Sequence, residues 1–326
     1  FKIGRKIGKS NIINIISETH KIPVFIKLFF NLLAFSFSSS NNTKSKGREN
    51  LSESIQEMGT TFIKLGQFLA TRPDIIGEKL SKELESLQDK LPPFSKKEAE
   101  KIIIENLGQS NFDDIIDLSE PIAAASIAQV HKAKIKEDNI IKNVAIKVLR
   151  PNIKKIFNDE IDAIMLLAYI VESLISKTKR LKLIEVVFLF KEITNHEMDL
   201  RFEAAAANEY AENTKNDLGF FVPKIYWNFT SESVLTLDWV DGVSIREKDL
   251  LKEKNIETSK IATNLIQHFL RHAVRDGFFH ADMHQGNIFI NESSQIVPID
   301  FGIMGRIDKL SRRYLAEILY GFVRRD

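Results

Sequence analysis

Between residues 279 and 302 the sequence brings together the side chains that a phosphoryl-transfer site would need. Phe279-His280-Ala281-Asp282-Met283-His284-Gln285-Gly286 runs into the short apolar run Asn287–Ile290, and a second apolar run, Gln295–Ile299, runs into Asp300-Phe301-Gly302. The polar Asn291-Glu292-Ser293-Ser294 lies between these apolar runs, so together they read as a hairpin. A hairpin closes on its own ends, which sets Asn287 at the entry beside Asp300 at the exit. Asp282 stands five residues before Asn287, on the loop that feeds the first strand. Two hard oxygen ligands suit Mg2+, and one more carboxylate can orient a nucleophile. Any one of these residues alone reads as a turn cap or a loop residue. The three at these spacings, with an apolar strand before Asp300, point to phosphotransfer.

Such a site needs elements that bring in a cation and enclose phosphates. Val144-Ala145-Ile146-Lys147-Val148-Leu149 alternates as a strand and ends before Pro151. A lysine among apolar neighbours is costly to bury unpaired, so a glutamate is expected across from Lys147 on a following helix. Residues 152–176 read as a strongly apolar helix and Ile184–Asn213 as a second one. The second carries Glu197-Met198-Asp199-Leu200-Arg201-Phe202-Glu203. Glu203 is the candidate partner, with Glu192, Glu197 and Glu209 in competition. Upstream, Ala123, Ala124, Ala125, Ser126, Ile127, Ala128 and Val130 form a small-residue run without glycine. By itself an alanine run reads as helix. As a hairpin loop it would let backbone N–H groups approach nucleotide phosphates. Strands Ile225–Thr230 and Ser233–Asp238 follow. Leu237–Gly242 then reads as a connector between lobes, where the backbone at Asp238 and Val240 would meet an adenine edge. Helix Ser259–Asp276 leads into the opening stretch.

The 326 residues carry 46 Lys+Arg against 44 Asp+Glu, a net charge of +2, which argues against a general nucleic-acid binder. With no cysteine, disulfides, thiolate metal sites and cysteine nucleophiles are excluded, and a reducing compartment suits the chain. The sequence starts at Phe1 and stops inside an apparently helical run, Leu310–Val323, so both ends are expected to be cut from something longer. Residues 1–50 hold nine Lys/Arg against two Glu and enclose Ile22–Phe37, an apolar run interrupted by Lys27, Asn31 and Ser36. That run is short for a membrane span. It reads equally as an interfacial membrane helix or as a helix packed on the protein body. Residues 36–50 read as a polar linker. Residues 51–90 read as helix, with Leu51, Ile55, Met58, Phe62, Leu65 and Leu69 at spacings of three and four, and a second segment over Gly77–Lys90. Lys64 and Gln67 share one face there, which on chemistry alone is a solvated one. Ser95–Leu107 is a helix opened by a Ser cap with Glu98 three residues on.

Taken together, these motifs resemble the UbiB/ADCK family of atypical protein-kinase-like proteins, linked to ubiquinone biosynthesis. The resemblance covers Leu51 to Gly305. It rests on K-x-G-Q at Lys64–Gln67, the alanine-rich loop at Ala123–Val130, E-x-D at Glu197–Asp199 and H-A-D-x-H-x-G-N at His280–Asn287, with the V-A-I-K and D-F-G signatures of kinases at Lys147 and Asp300. Met283 and Gln285 stand where the family more often has proline, and Ala128 where glycine is common. The resemblance implies an α+β, two-lobed protein-kinase-like fold with an added N-terminal helical K-x-G-Q subdomain and a C-lobe cut short. The expected division is a basic N-terminal segment and linker (1–50), a helical extension (51–115), an N-lobe (116–240) and the start of a C-lobe (241–326).

By the same resemblance, Asp282, Lys147 and Glu203 are catalytic, and Asn287 and Asp300 hold Mg2+. ATP or ADP is bound by Ala123–Ala128, Val130, Lys147, Asp238 and Val240. Lys64, Gln67, Glu197 and Asp199 are regulatory, with the K-x-G-Q helix folded over the active site. The implied partners are a lipid or prenylated quinone precursor, a membrane surface and other quinone-biosynthesis enzymes. The implied location is peripheral, on the cytoplasmic side of the inner membrane, anchored by a C-terminal segment missing here. Against this ATPase or kinase stand a non-catalytic nucleotide-binding scaffold or lipid chaperone, and a soluble small-molecule phosphotransferase.

Overall fold

The computed structural model describes residues 55–56, 58–85, 87, 91–174 and 176–325; the apolar run 22–37 and the linker 36–50 lie outside them. In chain order the elements begin with helices α1 (Thr60–Ala70), α2 (Pro73–Ile76), α3 (Glu78–Leu84), α4 (Lys96–Leu107) and α5 (Gln109–Asp113). Strands β1 (Ile115–Ile116), β2 (Pro121–Ala124), β3 (Ala128–Glu137) and β4 (Ile140–Leu149) come next, then helices α6 (Ile153–Leu174), α7 (Leu183–Glu197) and α8 (Leu200–Thr214). The remainder is β5 (Val234–Asp238), β6 (Gly242–Ser244), α9 (Lys248–Glu253), α10 (Thr258–Arg271), β7 (Phe278–His280), β8 (Ile288–Asn291), β9 (Ile296–Pro298), β10 (Met304–Arg306) and α11 (Lys309–Arg324).

The chain divides into two compact units that are not continuous in sequence. Of the described residues, one takes those up to 92 with 124–128 and 150–195, and the other takes 93–123, 129–149 and 196 onward. The linear division expected from sequence differs, because α6 and most of α7 group with the K-x-G-Q helix instead of with the strands around them.

In the first unit α6 buries Phe157, Ile161, Ile164 and Ala168, one stripe at helical spacing. Phe190 of α7 completes that core, with its ring 5.7 Å from Phe157 edge-on and 5.6 Å from Phe68. Gly66 of the K-x-G-Q motif is buried where a Cβ would collide with the end of the Leu87 side chain, so a larger residue there would have to push Leu87 aside.

The second unit holds a five-stranded sheet in the order β1-β3-β4-β5, with β2 also paired to β3. Ile135, Val144, Ile146, Val148, Tyr226 and Val234 cluster with Ile103 of α4 in its core. The strand period then turns Lys147 to the opposite face of β4 from Ile146 and Val148. Helix α4 opens with the reciprocal cap expected of it. Ser95 Oγ accepts from Glu98 N–H at 3.3 Å, and a Glu98 oxygen accepts from Ser95 N–H at 3.3 Å. Two smaller sheets, β6-β8-β9 and β7-β10, carry the motif-bearing loops.

Two expected elements are corrected. Ile225–Thr230 is not a strand: Ile225 makes a single bridge to Leu237, and Trp227–Phe229 turn as a 3-10 helix. Local bonds win there, since Thr230 Oγ1 donates to the Tyr226 carbonyl at 2.9 Å. The helix expected over Ile184–Asn213 is two helices. Asp199 interrupts it as the N-cap of α8, accepting from Arg201 N–H at 3.1 Å, because a short carboxylate competes for backbone donors and favours caps over helix interiors.

Gly305 of β10 lies opposite Phe279 of β7, and a Cβ there would stand 2.5 and 2.9 Å from ring atoms of Phe279. Gly305→Ala is expected to cost about 1–3 kcal/mol through overpacking, read as a shift in the urea midpoint. An unchanged midpoint would show that Phe279 has room to swing away.

Candidate active site

Three side chains from distant parts of the second unit converge. Lys147 comes from β4, Glu203 from the buried stripe of α8 and Asp300 from the turn after β9. Lys147 Nζ donates to both Glu203 oxygens, at 2.9 and 2.8 Å, and lies 3.6 Å from Asp300 Oδ2. Glu203 Oε1 also accepts from Phe301 N–H at 3.4 Å. Among the competing partners, Glu209 is bonded to Arg306 at 2.7 Å, Glu192 is exposed, and Glu197 closes α7. Burial works against charge on Lys147, but the Asp300 and Glu203 carboxylates outweigh it and hold the ammonium above its ordinary range.

The β8–β9 hairpin has the register the sequence implied. Ile288 pairs with Pro298, and Ile299 N–H donates to the Asn287 carbonyl at 3.0 Å, which sets Asn287 next to the segment carrying Asp300. Asn287 Nδ2 donates to Asp282 Oδ2 at 3.0 Å, so its amide oxygen remains as the atom to offer a cation. The feeding loop is tied to Asp300 through His280. His280 Nδ1 accepts from Asp282 N–H at 3.1 Å, and Nε2–H donates to the Asp300 carbonyl at 2.6 Å. That pattern requires a neutral imidazole protonated at Nε2, and burial holds the His280 pKa down accordingly. Gly302 N–H orients the Asp300 carboxylate at 3.0 Å. An amide oxygen and a carboxylate are hard donors of the kind Mg2+ prefers, and the Asp300 side chain is 44% exposed, hence reachable by an ion with its phosphates. The residues fit Mg2+: Asn287 and Asp300 would hold it, and it would neutralise charge building on transferring phosphate oxygens.

The alanine run is the hairpin between β2 and β3, closed by Ala125 N–H donating to the Ala128 carbonyl at 2.8 Å. Ser126, Ile127 and Ala128 are buried, while Ala123 is exposed and Val130 half-buried on β3. Arg150, which sequence reasoning passed over, clamps this turn. Its Nε and Nη2 donate to the Ala125 carbonyl at 3.1 and 2.8 Å, and its Nη1 donates to the Pro92 carbonyl at 2.9 Å. The only hint in sequence was an arginine just before Pro151. Asp238 uses its carboxylate in the fold, accepting from the Tyr226 hydroxyl at 2.6 Å and Lys224 N–H at 3.1 Å, so any contact with a base falls to its backbone. Val240 is half-buried. Lys64 and Gln67 are half-buried on α1 in the first unit; Glu197 ends α7 and Asp199 caps α8 in the second.

Also missed was a buried relay behind Glu203. Tyr210, two turns along α8, packs its ring edge-on 6.4 Å from that of Phe301 and hydrogen-bonds His272 Nδ1 at 2.7 Å. His272 Nε2–H donates to Asp217 Oδ2 at 3.0 Å. Asp217, His268 and His272 are close enough to hold a metal ion, but both Asp217 oxygens already accept from Arg275, at 2.7 and 2.9 Å. A divalent ion would have to displace that guanidinium, so the cluster reads as a latch between α8 and the turn after α10.

Burial pushes His272 down to about 4. Above the ordinary histidine value near 6.5 neither folded nor unfolded chain protonates it; between 6.5 and about 4 only the unfolded chain does. Stability is therefore expected to fall on acidification across that window by roughly 3 kcal/mol from this residue. Denaturation midpoints measured from pH 7 to 4 should show a shallower slope for His272→Gln than for the parent.

Comparison with known proteins bears on the family and the fold. Residues 86–326 match the family model described as the ABC1 atypical kinase-like domain. The chain is 35% identical over 311 residues to a probable protein kinase UbiB of Marinobacter nauticus, covering 94% of this chain and 56% of that protein. It is 36% identical to the corresponding protein of Tolumonas auensis, covering 85% and 51%. The chain thus spans about half to three fifths of the length of these relatives. Among solved structures, the complex of Rv3197 with erythromycin from Mycobacterium tuberculosis is similar at a TM-score of 0.56 and 25% identity, over 74% of this chain and 59% of that one. Kinase-like strands, a Lys–Glu–Asp convergence and these matches give one conclusion: the chain belongs to the ABC1 atypical kinase-like family, with UbiB-type proteins among its relatives.

Proposed function

We propose that the chain binds Mg2+ with ATP or ADP and acts as a UbiB-type atypical kinase or ATPase supporting prenylated quinone (ubiquinone) biosynthesis. The observation that carries this is Lys147 held at once by Glu203 and Asp300, beside a hairpin that sets Asn287 next to Asp300. A lysine so fixed presents one positive charge to nucleotide phosphates, and the neighbouring oxygens suit the accompanying Mg2+. The names of the relatives, probable protein kinase UbiB, support the kinase reading, and the resemblance of the motifs to the UbiB family supports its link to quinone synthesis. In this reading the protein works peripherally on the cytoplasmic side of the inner membrane, on or beside a prenylated lipid precursor. Among the described residues no helix is long and apolar enough to cross a membrane.

Melting with and without Mg2+–ADP tests the site. At ligand a hundredfold above Kd the parent is expected to gain about 2.7 kcal/mol, a rise of roughly 5 °C or more. Asp300→Asn should remove most of that rise. An equal rise in the variant would overturn the metal assignment.

A further inference from the structure

Helices α6 and α7 form an antiparallel hairpin in the first unit. Lys191 Nζ reaches Asp162 at 3.5 Å, and Ile184 N–H donates to Glu172 Oε1 at 3.1 Å. The outward face of α6 changes character along its length. Up to the middle it is mostly polar, with Lys155, Asp159 and Asp162 exposed and Ile156 the one large apolar side chain among them. From there to the turn it is apolar: Leu166 is 60% exposed, Tyr169 52% and Leu174 58%. Across the turn, Phe188 is 55% and Leu189 42% exposed on α7.

The turn itself is cationic. Lys179, Arg180 and Lys182 lie in or beside it, and an open cleft of about 480 Å³ at this end is lined by Arg72, Arg180 and Lys182 with Ile75, Leu181 and Leu189. The facing acids are Asp74, paired with Arg72 at 2.7 Å, and Glu185, paired with Lys182 at 2.9 Å. With Glu172, which accepts from Ile184 N–H, four cations stand against three acids and leave this end positive. A core-forming hairpin gains nothing from large apolar side chains in water around a basic turn. A surface that meets both acyl chains and anionic headgroups does.

We propose that the α6–α7 hairpin tip is a membrane-docking device, seating its apolar residues in the interface of an anionic bilayer with lipid phosphates at Arg180, Lys182 and Arg72. This deepens the membrane part of the proposed function and rests on that reading for its setting, but not on any nucleotide chemistry.

The chain contains no cysteine, so Ser173→Cys, exposed between Ile170 and Leu174, places a single environment-sensitive fluorophore on the tip. Ser293→Cys on the β8–β9 turn serves as the reference. With vesicles of phosphatidylcholine containing a third phosphatidylglycerol, the probe at 173 should shift to the blue and brighten, and the probe at 293 should not. Vesicles of phosphatidylcholine alone should give little change. Reversing Lys179, Arg180 and Lys182 to glutamate should weaken vesicle partitioning at least roughly tenfold, with the Mg2+–ADP melting shift unaltered. Vesicle sedimentation without a response at 173 would overturn the proposal and leave membrane association to other residues. A response that follows protein concentration without lipid would assign the face to a second copy. A probe already blue-shifted in buffer and blind to lipid would assign it to another segment of the same chain. Loss of the melting shift in the parent protein, with the lipid response intact, would instead count against the nucleotide reading.

Discussion

Lys147→Met is expected to abolish nucleotide-dependent stabilisation and to lower the stability of the free protein by about 3 kcal/mol. Methionine keeps most of the stem volume, so the loss isolates the ammonium. Without it the buried Glu203 carboxylate keeps, among the hydrogen bonds of the described residues, the Phe301 N–H at 3.4 Å, and gains nothing to offset the nearby Asp300. The cheapest response is for Glu203 to take a proton. Its folded pKa then lies above that in the unfolded chain, so the folded state binds more protons and the variant regains stability as pH falls. The penalty measured by urea denaturation should therefore be smaller at pH 5.5 than at pH 7.5, against a parent measured at the same two values. Adding Glu203→Gln should restore much of the lost stability, because a neutral amide needs no counter-charge and still accepts from Phe301 N–H, yet nucleotide binding should stay lost. That non-additivity is the signature of a coupled pair. A penalty below about 1 kcal/mol, or one indifferent to pH, would mean that the pair is solvated and that Lys147 is free to serve elsewhere.

Much of this centre was legible in the sequence because its logic is local or electrostatic. Strand alternation fixed the side on which Lys147 must emerge, and the cost of burying it demanded an acid on a later helix, which is Glu203. The hairpin around Asn291–Ser294 set Asn287 beside Asp300 through spacing alone. Ser95 and Glu98 announced their helix because a capping box is wholly contained in four residues. What sequence did not disclose depends on partners far along the chain or on small local contests. Asp199 looked like one more helical residue until its carboxylate took the Arg201 N–H. Residues 225–230 have the composition of a strand, but Tyr226 and Thr230 satisfy each other. Arg150 clamps the Ala125 carbonyl from 25 residues away, and Tyr210 meets His272 across 62, separations at which no periodicity speaks. The same holds for α6 and α7: both were legible as helix, but not that α6 and most of α7 belong with the K-x-G-Q helix.

Asp282→Asn should separate chemistry from binding. Asp282 stands on the feeding loop, where it accepts from Asn287 at 3.0 Å, and it has no contact with Lys147 among the hydrogen bonds and ion pairs of the described residues. Asparagine has the same shape and can still accept from Asn287, so the loop should keep its geometry and the Mg2+–ADP melting shift should survive nearly whole. A carboxylate that orients and deprotonates a nucleophile is worth about 10²- to 10⁴-fold in rate, so ATP turnover should fall by at least two orders of magnitude. Asp300→Asn, by contrast, should lose turnover and nucleotide stabilisation together, since it would take away a carboxylate oxygen proposed to hold Mg2+. The pair of variants then decides between the catalytic reading and a nucleotide-binding scaffold. If Asp282→Asn loses turnover and fails to sustain quinone production in cells lacking the parent protein, phosphotransfer is the function. If it loses turnover, keeps the melting shift and sustains quinone production at the parent level, nucleotide occupancy alone is what the cell uses. Lys147, Glu203 and Asp300 would then be a binding latch, with hydrolysis incidental to it.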